Sequence, residues 1–364
     1  MVKAIWSWIL LNHIKPKGVL AMRKKVITLF ICLSFLTAAF TGDVKSQKTP
    51  TPQDDFQVIG QMSGAEILRK LAEIGDSDDA RDIAFAAVKR TKPSAKMSDV
   101  LTVQNEQLNT LVALNRSVKP YLNATRAFGY IPTSDAASTT LVDVKAAGNL
   151  SADTTLRGKA IKITLDRLRI FDYPGKGIHN VLFDFAGRHQ AEASTAEDLH
   201  FTQTYRAPEG EGASINGVPI FVGLKVGNEG VFFTCKTVNV SNEDDEKLLG
   251  FLDGDIFKKG LQLINGINPV VPIVTGFADG IFRQIAARDK NIPVQNIDLG
   301  LDFSTSQTRA KLREGSYIAV QAPDGFDITT CQFNPSTGDF VEKGTGKPIQ
   351  LNYIVFSISK TMTS

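Results

Sequence analysis

The sequence predicts an α+β protein, in which an N-terminal helical unit is followed by an antiparallel β-sandwich with a helical insertion. Residues 63–130 repeat apolar side chains at the three- and four-residue spacing of helices. From residue 157 onward, short runs of alternating apolar and polar residues are separated by Gly, Pro and Asp turn signals. Helical spacing returns once, over 241–290. These three changes of period define the predicted fold class.

Residues 1–47 have the composition of a leader that is removed. Arg23, Lys24 and Lys25 follow Met22 and precede an uncharged apolar run over 26–40. Because these 15 residues are fewer than the roughly 20 that a membrane-spanning helix needs, we expect cleavage rather than anchoring. Met1 and Met22 both stand as translation starts. The sequence therefore predicts an exported protein, periplasmic or extracellular, that is not an integral membrane protein after signal cleavage.

The leader also carries most of the basic excess. Seven of the 41 Lys and Arg residues lie in it, but only one of the 38 Asp and Glu residues does, so residues 48–364 carry 34 basic against 37 acidic side chains. A basic stripe that could neutralise a phosphate backbone is not left after cleavage. We expect no nucleic-acid partner.

Helices are expected at the start of the folded part. Residues 48–62 are interpreted as a polar tether because they contain two Thr-Pro pairs. Ser63 and Glu66 form a capping-box pattern ahead of a helix that Gly75 ends. Two further helices are predicted near 77–90 and 99–116. A connector over 131–156, rich in Ser, Thr, Ala and Gly, then joins this unit to the strands.

Strands dominate residues 157–364. We expect them at about 159–171, 180–185, 199–205, 218–226, 231–240, 295–303, 316–321, 326–333 and 351–359. Short turns between successive strands favour antiparallel pairing, and many short strands at this spacing are typical of a sandwich. The helical insertion at 241–290 includes a second helix near 275–288.

Over about 158–360, the strands with acidic turns resemble the calcium-dependent lipid-binding sandwich of synaptotagmin-type proteins. In that family several aspartates cluster in two loops at one end of the sandwich. The resemblance implies a β-sandwich that binds lipid through calcium. Asp172 and Asp184 are the two aspartates here that fall near the first such loop.

Histidine offers the strongest candidate for a metal site, although no fixed ligand spacing is present. His189 ends one predicted strand and His200 begins the next, so the two could face each other across a hairpin with Asp198 beside them. The sequence contains no H-x-x-x-H pair and no nucleotide-binding loop. We therefore predict neither a resident metal nor a cofactor, with these three residues as weak metal candidates, and catalytic residues are not identified.

Cys235 and Cys331 are the two cysteines outside the leader. In an exported chain they permit one disulfide across 96 residues, for which chain entropy predicts a stabilisation of about 4 to 5 kcal/mol. Two buried free thiols are the other outcome that the sequence allows.

Three functions remain as hypotheses. The first is an exported, non-enzymatic binding or interaction protein of unknown ligand, with a protein or lipid-surface partner. The second is a lipid-surface module that uses the apolar stretch 264–282, with Phe277, Ile281 and Phe282 as contacts, although burial of this stretch in the core is favoured. The third is a hydrolase whose site is assembled from distant residues.

We predict that exported material lacks at least residues 1–39, since the apolar run is too short to remain as a span. N-terminal sequencing of protein recovered from the periplasm or the medium measures this. An intact Met1 or Met22 on that material would contradict the prediction.

Overall fold

The computed structural model describes residues 56–361, with gaps at 84–104, 134–139, 193–194, 214, 246–248, 251, 253–259, 264–270 and 305–309. Phe56–Ser364 form one compact unit. The fold is mixed α+β: most of it is β-strand, arranged in several sheets, with few helices.

Three α-helices have bounds among the described residues: α1 (Gly64–Glu73), α2 (Asn105–Asn115) and α3 (Val271–Ala286). Residues 77–83 are also helical. The capping box that the sequence predicts is present at α1, where the Ser63 hydroxyl accepts from the Glu66 amide and the Glu66 carboxylate accepts from the Ser63 amide. α3 overlaps the helix expected near 275–288 and begins four residues earlier.

Seventeen strands lie within the described residues. They are β1 (Arg126–Pro132), β2 (Val142–Asp143), β3 (Lys145–Ala146), β4 (Ala160–Arg169), β5 (Ile178–Glu192), β6 (Thr195–Pro208), β7 (Gly212–Ala213), β8 (Val218–Lys225), β9 (Gly230–Val231), β10 (Phe233–Val240), β11 (Leu261–Gln262), β12 (Ile292–Asp298), β13 (Leu301–Asp302), β14 (Gly315–Gln321), β15 (Cys331–Asn334), β16 (Asp339–Glu342) and β17 (Asn352–Lys360).

The strands pair into four sheets. The largest has eight strands in the order β11-β8-β4-β17-β14-β1-β3, with β7 beside β4. A four-stranded sheet has the order β12-β10-β5-β6, a three-stranded sheet β16-β15-β2, and β13 pairs with β9. The pairings are antiparallel except for β11 with β8. Short hairpin turns favour antiparallel pairing, and the strands that they connect here pair in this way.

The two central strands of the largest sheet, β14 and β17, are buried on both faces. Side chains alternate across a strand, so each strand supplies two different core clusters. One cluster receives Tyr317, Ala319, Ile354 and Phe356, and the other receives Ile318, Val320, Tyr353 and Val355. This explains why both segments are nearly continuous apolar runs in the sequence.

Aromatic rings from the eight-stranded and four-stranded sheets contact each other in the larger cluster. The ring of Phe356 on β17 lies 6.2 Å from that of Phe185 on β5 and 5.0 Å from that of Phe233 on β10. Phe221 on β8 lies 6.3 Å from Phe233, edge to face. Such arrangements add about 0.5–1.5 kcal/mol per pair beyond the burial of area. The two sheets therefore share one core.

The two segments interpreted as a tether and a connector both contribute buried residues. In the segment interpreted as a tether up to residue 62, Val58 and Ile59 are buried, and Ile59 belongs to the larger cluster. The connector expected over 131–156 contains β2 and β3, and its Val142 and Val144 belong to the smaller cluster. In both segments a few apolar residues, isolated among polar ones, are enough for packing when another layer covers them.

Within the described ranges, no helix is long and apolar enough to cross a membrane.

Candidate functional site

A cleft of about 420 Å³ opens beside the three-stranded sheet. Its walls come from the turn after α2, the loop between β14 and β15, and the loop between β16 and β17. The lining residues are Ser117, Pro323, Phe326, Thr330, Cys331, Glu342, Lys343, Ile349, Gln350 and Leu351. We call this feature the cleft. Its interior is mainly apolar, with polar groups added by Thr330, Glu342, Lys343 and Gln350.

Backbone pairing of β15 and β16 sets the shape of the cleft. Their hairpin closes through Gly338, which has a φ of 69°, a left-handed conformation that glycine adopts without strain. The amide of Lys343 donates to the carbonyl of Thr330 at 2.8 Å. Lys343 Nζ lies 3.0 Å from Asp143 Oδ2 in an exposed ion pair, which contributes little to stability because solvent screens it.

A cluster of buried charges lies where residues 76–79 and 119–121 meet the loop after β4. Lys119 Nζ lies 2.6 Å from Asp79 Oδ1 and 3.7 Å from Asp172 Oδ1, and the Tyr121 hydroxyl donates to Asp79 Oδ2 at 2.9 Å. Asp76 Oδ1 accepts from the Asp79 amide at 3.2 Å. We call Asp76, Asp79, Lys119, Tyr121 and Asp172 the polar joint. It holds three carboxylates against one ammonium group.

Asp172 is the carboxylate of the polar joint whose burial is least compensated by hydrogen bonds and by opposite charge. Burial raises the pKa of its carboxyl to about 7; Lys119 opposes this shift, while the charges of Asp79, Glu209 and Asp76 add to it. Asp172 is 6 % exposed, and its Oδ2 has no hydrogen-bond partner among the described residues. At neutral pH this carboxyl therefore stands near its midpoint of ionisation.

The loop after β4 binds the joint through its backbone. Gly175 has a φ of 98°, which favours glycine, and its amide donates to Asp76 Oδ2 at 2.8 Å. His179, at the start of β5, is buried, and its ring packs edge-on against Tyr173 at 5.8 Å. Burial lowers the pKa of His179, although Asn239 and Asp76 oppose the shift. His179 is therefore held neutral beside the joint.

Two buried amides extend the joint to the central strands. Asn352 Oδ1 accepts from the amides of Phe171 and Asp172 at 2.8 and 3.0 Å, while Asn352 Nδ2 donates to the Asp172 carbonyl at 2.8 Å and to Gln321 Oε1 at 3.1 Å. Gln321 Nε2 in turn donates to the carbonyls of Tyr121 and Asn123 at 3.3 and 2.9 Å. β14 and β17 are thus bonded to both halves of the joint.

A second pair of titratable groups lies between β5, β6 and α3. Asp184 Oδ2 is 3.1 Å from His200 Nδ1, and Asp279 on α3 is 3.9 Å from the same nitrogen. Burial alone would lower the pKa of His200, but the hydrogen bond and charge of Asp184 and the charge of Asp279 outweigh it and raise the pKa. A carboxylate beside a histidine is the orienting half of many acid–base sites. The hydroxyl of Thr202 donates to Asp184 at 3.4 Å.

The register of the β5–β6 hairpin separates the metal candidates. His189 pairs with Glu197, whereas His200 pairs with Ala186, so the two histidines are not cross-strand neighbours. Asp198 lies 2.8 Å from Arg188 in an exposed ion pair. The described part of the chain contains no group of three or more His, Cys, Asp and Glu side chains that could hold a metal ion.

Asp172 and Asp184, which the synaptotagmin-type resemblance pointed to, have different surroundings. Asp172 follows β4 and faces Lys119, whereas Asp184 lies in the middle of β5 and contacts His200. They form no acidic cluster with each other of the kind that the resemblance implies.

Cys235 and Cys331 are free thiols, so the disulfide that the sequence permits between them is not formed. Cys235 belongs to the larger core cluster and Cys331 to the smaller one. Burial raises the pKa of Cys331 to about 11, and the charges of Glu342 and Asp327 act in the same direction. The thiol that lines the cleft is therefore uncharged and weakly nucleophilic.

Of the three apolar residues proposed as contacts on the insertion, Ile281 and Phe282 are buried at 5 % and 3 % exposure. Phe277 is half-buried and packs against the larger core cluster. The Phe282 ring lies 5.5 Å from that of Phe56, a residue that the sequence assigned to the tether. Packing of α3 on β5 and β6 explains this burial.

Sequence reasoning missed both the cleft and the polar joint. Asp76 and Asp79 have the sequence signal of acidic residues at a helix start, and Lys119 has no signal beyond its charge. Asp172 was named through the synaptotagmin-type resemblance, as a residue of an acidic loop and not as a partner of Lys119. Comparison of the chain with protein-family models, with curated proteins and with solved structures finds no match.

We predict that Asp172→Asn stabilises the protein at alkaline pH and flattens its stability profile. The folded carboxyl keeps its proton up to about pH 7, whereas the unfolded one releases it near 3.8, so stability is lost as pH rises between these values. The amide should remove this loss and raise the free energy of unfolding near pH 8 by about 2–4 kcal/mol relative to the parent. Urea unfolding across the pH range measures it.

The matched control is Asp78→Asn. Asp78 is an exposed neighbour whose carboxyl pKa is lowered by Lys176 and Arg81, so this variant should not gain stability at alkaline pH. Equal profiles for the parent and Asp172→Asn would show that the joint carries no strained charge.

Proposed function

We propose that the chain is an exported, non-enzymatic binding protein whose cleft takes the apolar body of a small amphipathic molecule. The carrying observation is the cleft: its volume of about 420 Å³ falls within the roughly 300–1,000 Å³ of small-molecule sites. Pro323, Phe326, Ile349 and Leu351 supply apolar walls. Glu342 and Lys343, which lie beside each other in the chain, offer charged groups that can orient a polar end.

The proposed architecture is a β-sandwich carried by a helical unit. The ring contacts of Phe356 with Phe185 and Phe233 support face-to-face stacking of the eight-stranded and four-stranded sheets. The contacts of Lys119 with Asp79 and Asp172 support the proposal that the helical unit expected over 63–130 is fixed to that sandwich.

Export through a route without N-glycosylation, such as export to a bacterial periplasm, is the proposed localisation. The apolar leader at 26–40 supports export. Asn123 and Asn239 start Asn-x-Ser/Thr triplets, yet they are 1 % and 2 % exposed. Their Nδ2 atoms, which would carry a glycan, donate to the carbonyls of Arg116 at 2.9 Å and Pro174 at 2.6 Å. A glycan added before folding would leave no room for these contacts.

The two other functions have weaker support. A lipid-surface role through 264–282 would depend chiefly on Phe277, since Ile281 and Phe282 are buried. A hydrolase would need a nucleophile for the His200–Asp184 pair, and Thr202, the hydroxyl that contacts it, donates to the carboxylate rather than to the ring.

We predict that secretion from a eukaryotic host fails through glycosylation of the buried triplets. The parent should be retained in the cell with glycans on Asn123 or Asn239. The double variant Thr125→Ala with Ser241→Ala replaces the exposed third residue of each triplet and keeps both buried asparagines, so it should restore secretion. Ser151→Ala removes only the triplet at exposed Asn149 and is the matched control, without rescue. Folded secretion of the parent would contradict the proposed route.

We predict that Ser117→Trp, which adds an indole at the wall of the cleft, weakens ligand binding about tenfold or more. Isothermal titration with anilinonaphthalene sulfonate and with its uncharged analogue N-phenylnaphthylamine measures this, and both should bind the parent. Ser336→Trp, at an exposed turn that does not line the cleft, should bind as the parent does. Equal affinities of Ser117→Trp and the parent would place the binding elsewhere.

A further inference from the structure

Three residues that line the cleft lie within two chain positions of the polar joint or of the buried amides Gln321 and Asn352 that extend it. Ser117, Pro323 and Leu351 line the cleft. Lys119 and Gln321 lie two residues from the first two, and Asn352 follows Leu351 directly. We propose that the cleft is regulated through these segments by the charge of Asp172, an inference that rests on the proposed function of the cleft.

The first connection runs through the turn after α2. The Lys119 ammonium is held by Asp79 and faces Asp172, while Ser117, in the same turn, faces the cleft. The Lys119 amide donates to the Asn115 carbonyl at 2.8 Å, which fixes the turn that contains both residues. A change in the attraction between Lys119 and Asp172 therefore acts on the cleft wall at Ser117.

The second connection runs through the ends of the central strands. Asn352 binds the Asp172 backbone on one side and Gln321 on the other, and Leu351 and Pro323 extend from these residues into the cleft. The Ala322 amide donates to the Thr125 carbonyl at 3.3 Å, so this wall is also tied to the segment after the joint. Movement of the Asp172 loop would reach both walls through the same pair of amides.

The charges around Asp172 determine whether the polar joint is held more tightly when this carboxyl is protonated or when it is ionised. Lys119 is the cation that faces it, and the carboxylates of Asp79, Asp76 and Glu209 and the hydroxyl of Tyr121 complete its ionisable surroundings. With Asp172 protonated, Lys119 retains its 2.6 Å contact with Asp79, and the excess negative charge falls. With Asp172 ionised, a buried oxygen that has no hydrogen-bond partner among the described residues carries charge. The joint is therefore tighter below neutral pH than above it.

A tighter joint holds the cleft walls in the binding geometry. Because a preorganised site loses less conformational entropy on binding, its affinity is higher. Ligands should thus bind more tightly in mildly acidic conditions, where the carboxyl whose pKa is about 7 holds its proton, than in alkaline ones.

The test uses Cys331, a buried thiol that lines the cleft, as a probe of its opening. Its reaction rate with dithiodipyridine is followed by mass spectrometry of the Cys331 peptide in the parent and in Asp172→Asn. The ratio of the two rates cancels the ionisation of the thiol itself. We expect a ratio close to unity near pH 5.5 and about fivefold or more near pH 8.5. A ratio that stays constant with pH would overturn the proposal.

Glu209→Gln provides a second variant that does not alter the buried groups. Glu209 is exposed, and its negative charge raises the pKa of Asp172. Its removal makes ionised Asp172 less unfavourable and lowers this pKa, so Cys331 should begin to open at lower pH. The expected result is a midpoint at lower pH than in the parent. A midpoint that does not move, or moves upward, would overturn the proposal.

Ligand binding separates this inference from the proposed function. The parent should bind anilinonaphthalene sulfonate about fivefold more tightly near pH 5.5 than near pH 8.5, and Asp172→Asn should bind it equally at both. If the dye does not bind the parent at any pH, the proposed function fails, while the Cys331 ratio still decides the coupling. Binding with the same pH dependence in both proteins would refute the coupling alone.

Discussion

The buried amide pair of Gln321 and Asn352 is the contact on which the rest of the structure depends. It lies at the ends of the two strands that are buried on both faces, where backbone groups of the neighbouring loop and turn would otherwise lack partners. Asn352 satisfies two amides and one carbonyl of the loop after β4, and Gln321 satisfies carbonyls of the turn before β1. An unsatisfied buried group costs about 1–3 kcal/mol, so this pair determines where both segments lie.

The charges of the polar joint follow from that placement. Once the loop at Asp172 and the turn at Lys119 are fixed against the same strand ends, their side chains face each other out of water. The Lys119 ammonium has its close contact with Asp79, at 2.6 Å, and a longer one with Asp172, at 3.7 Å. One cation is therefore shared between carboxylates, and the carboxylate with the longer contact is the one whose pKa rises to about 7.

Most strand positions were predicted because their signal is local, although the strand expected at about 326–333 covers only Cys331–Asn334, and β1 and β16 were not expected. The sites were not predicted, because the residues that form them are far apart in the sequence. The alternation over Ile161, Ile163 and Leu165 predicted β4, and the capping box predicted α1, from neighbouring residues alone. The β5–β6 hairpin has strands of 15 and 14 residues, longer than the expected runs, so neither its register nor the hydrogen bond between the side chains of His200 and Asp184 could be deduced. Asp172 and Asn352 are 180 residues apart, and only tertiary packing brings them together.

The raised pKa values of His200 and Asp172 act in the same direction on the stability of the protein. His200 has a folded pKa above its unfolded value, so its stabilising contact with Asp184 and Asp279 is present at low pH and is lost as pH rises through the folded pKa. Asp172 likewise loses stability as pH rises toward 7. His200 links α3 to the four-stranded sheet, and Asp172 links the joint to the eight-stranded one. Both α3 and the polar joint are therefore held less tightly against their sheets at alkaline pH. The proposed binding form is most rigid in mildly acidic conditions.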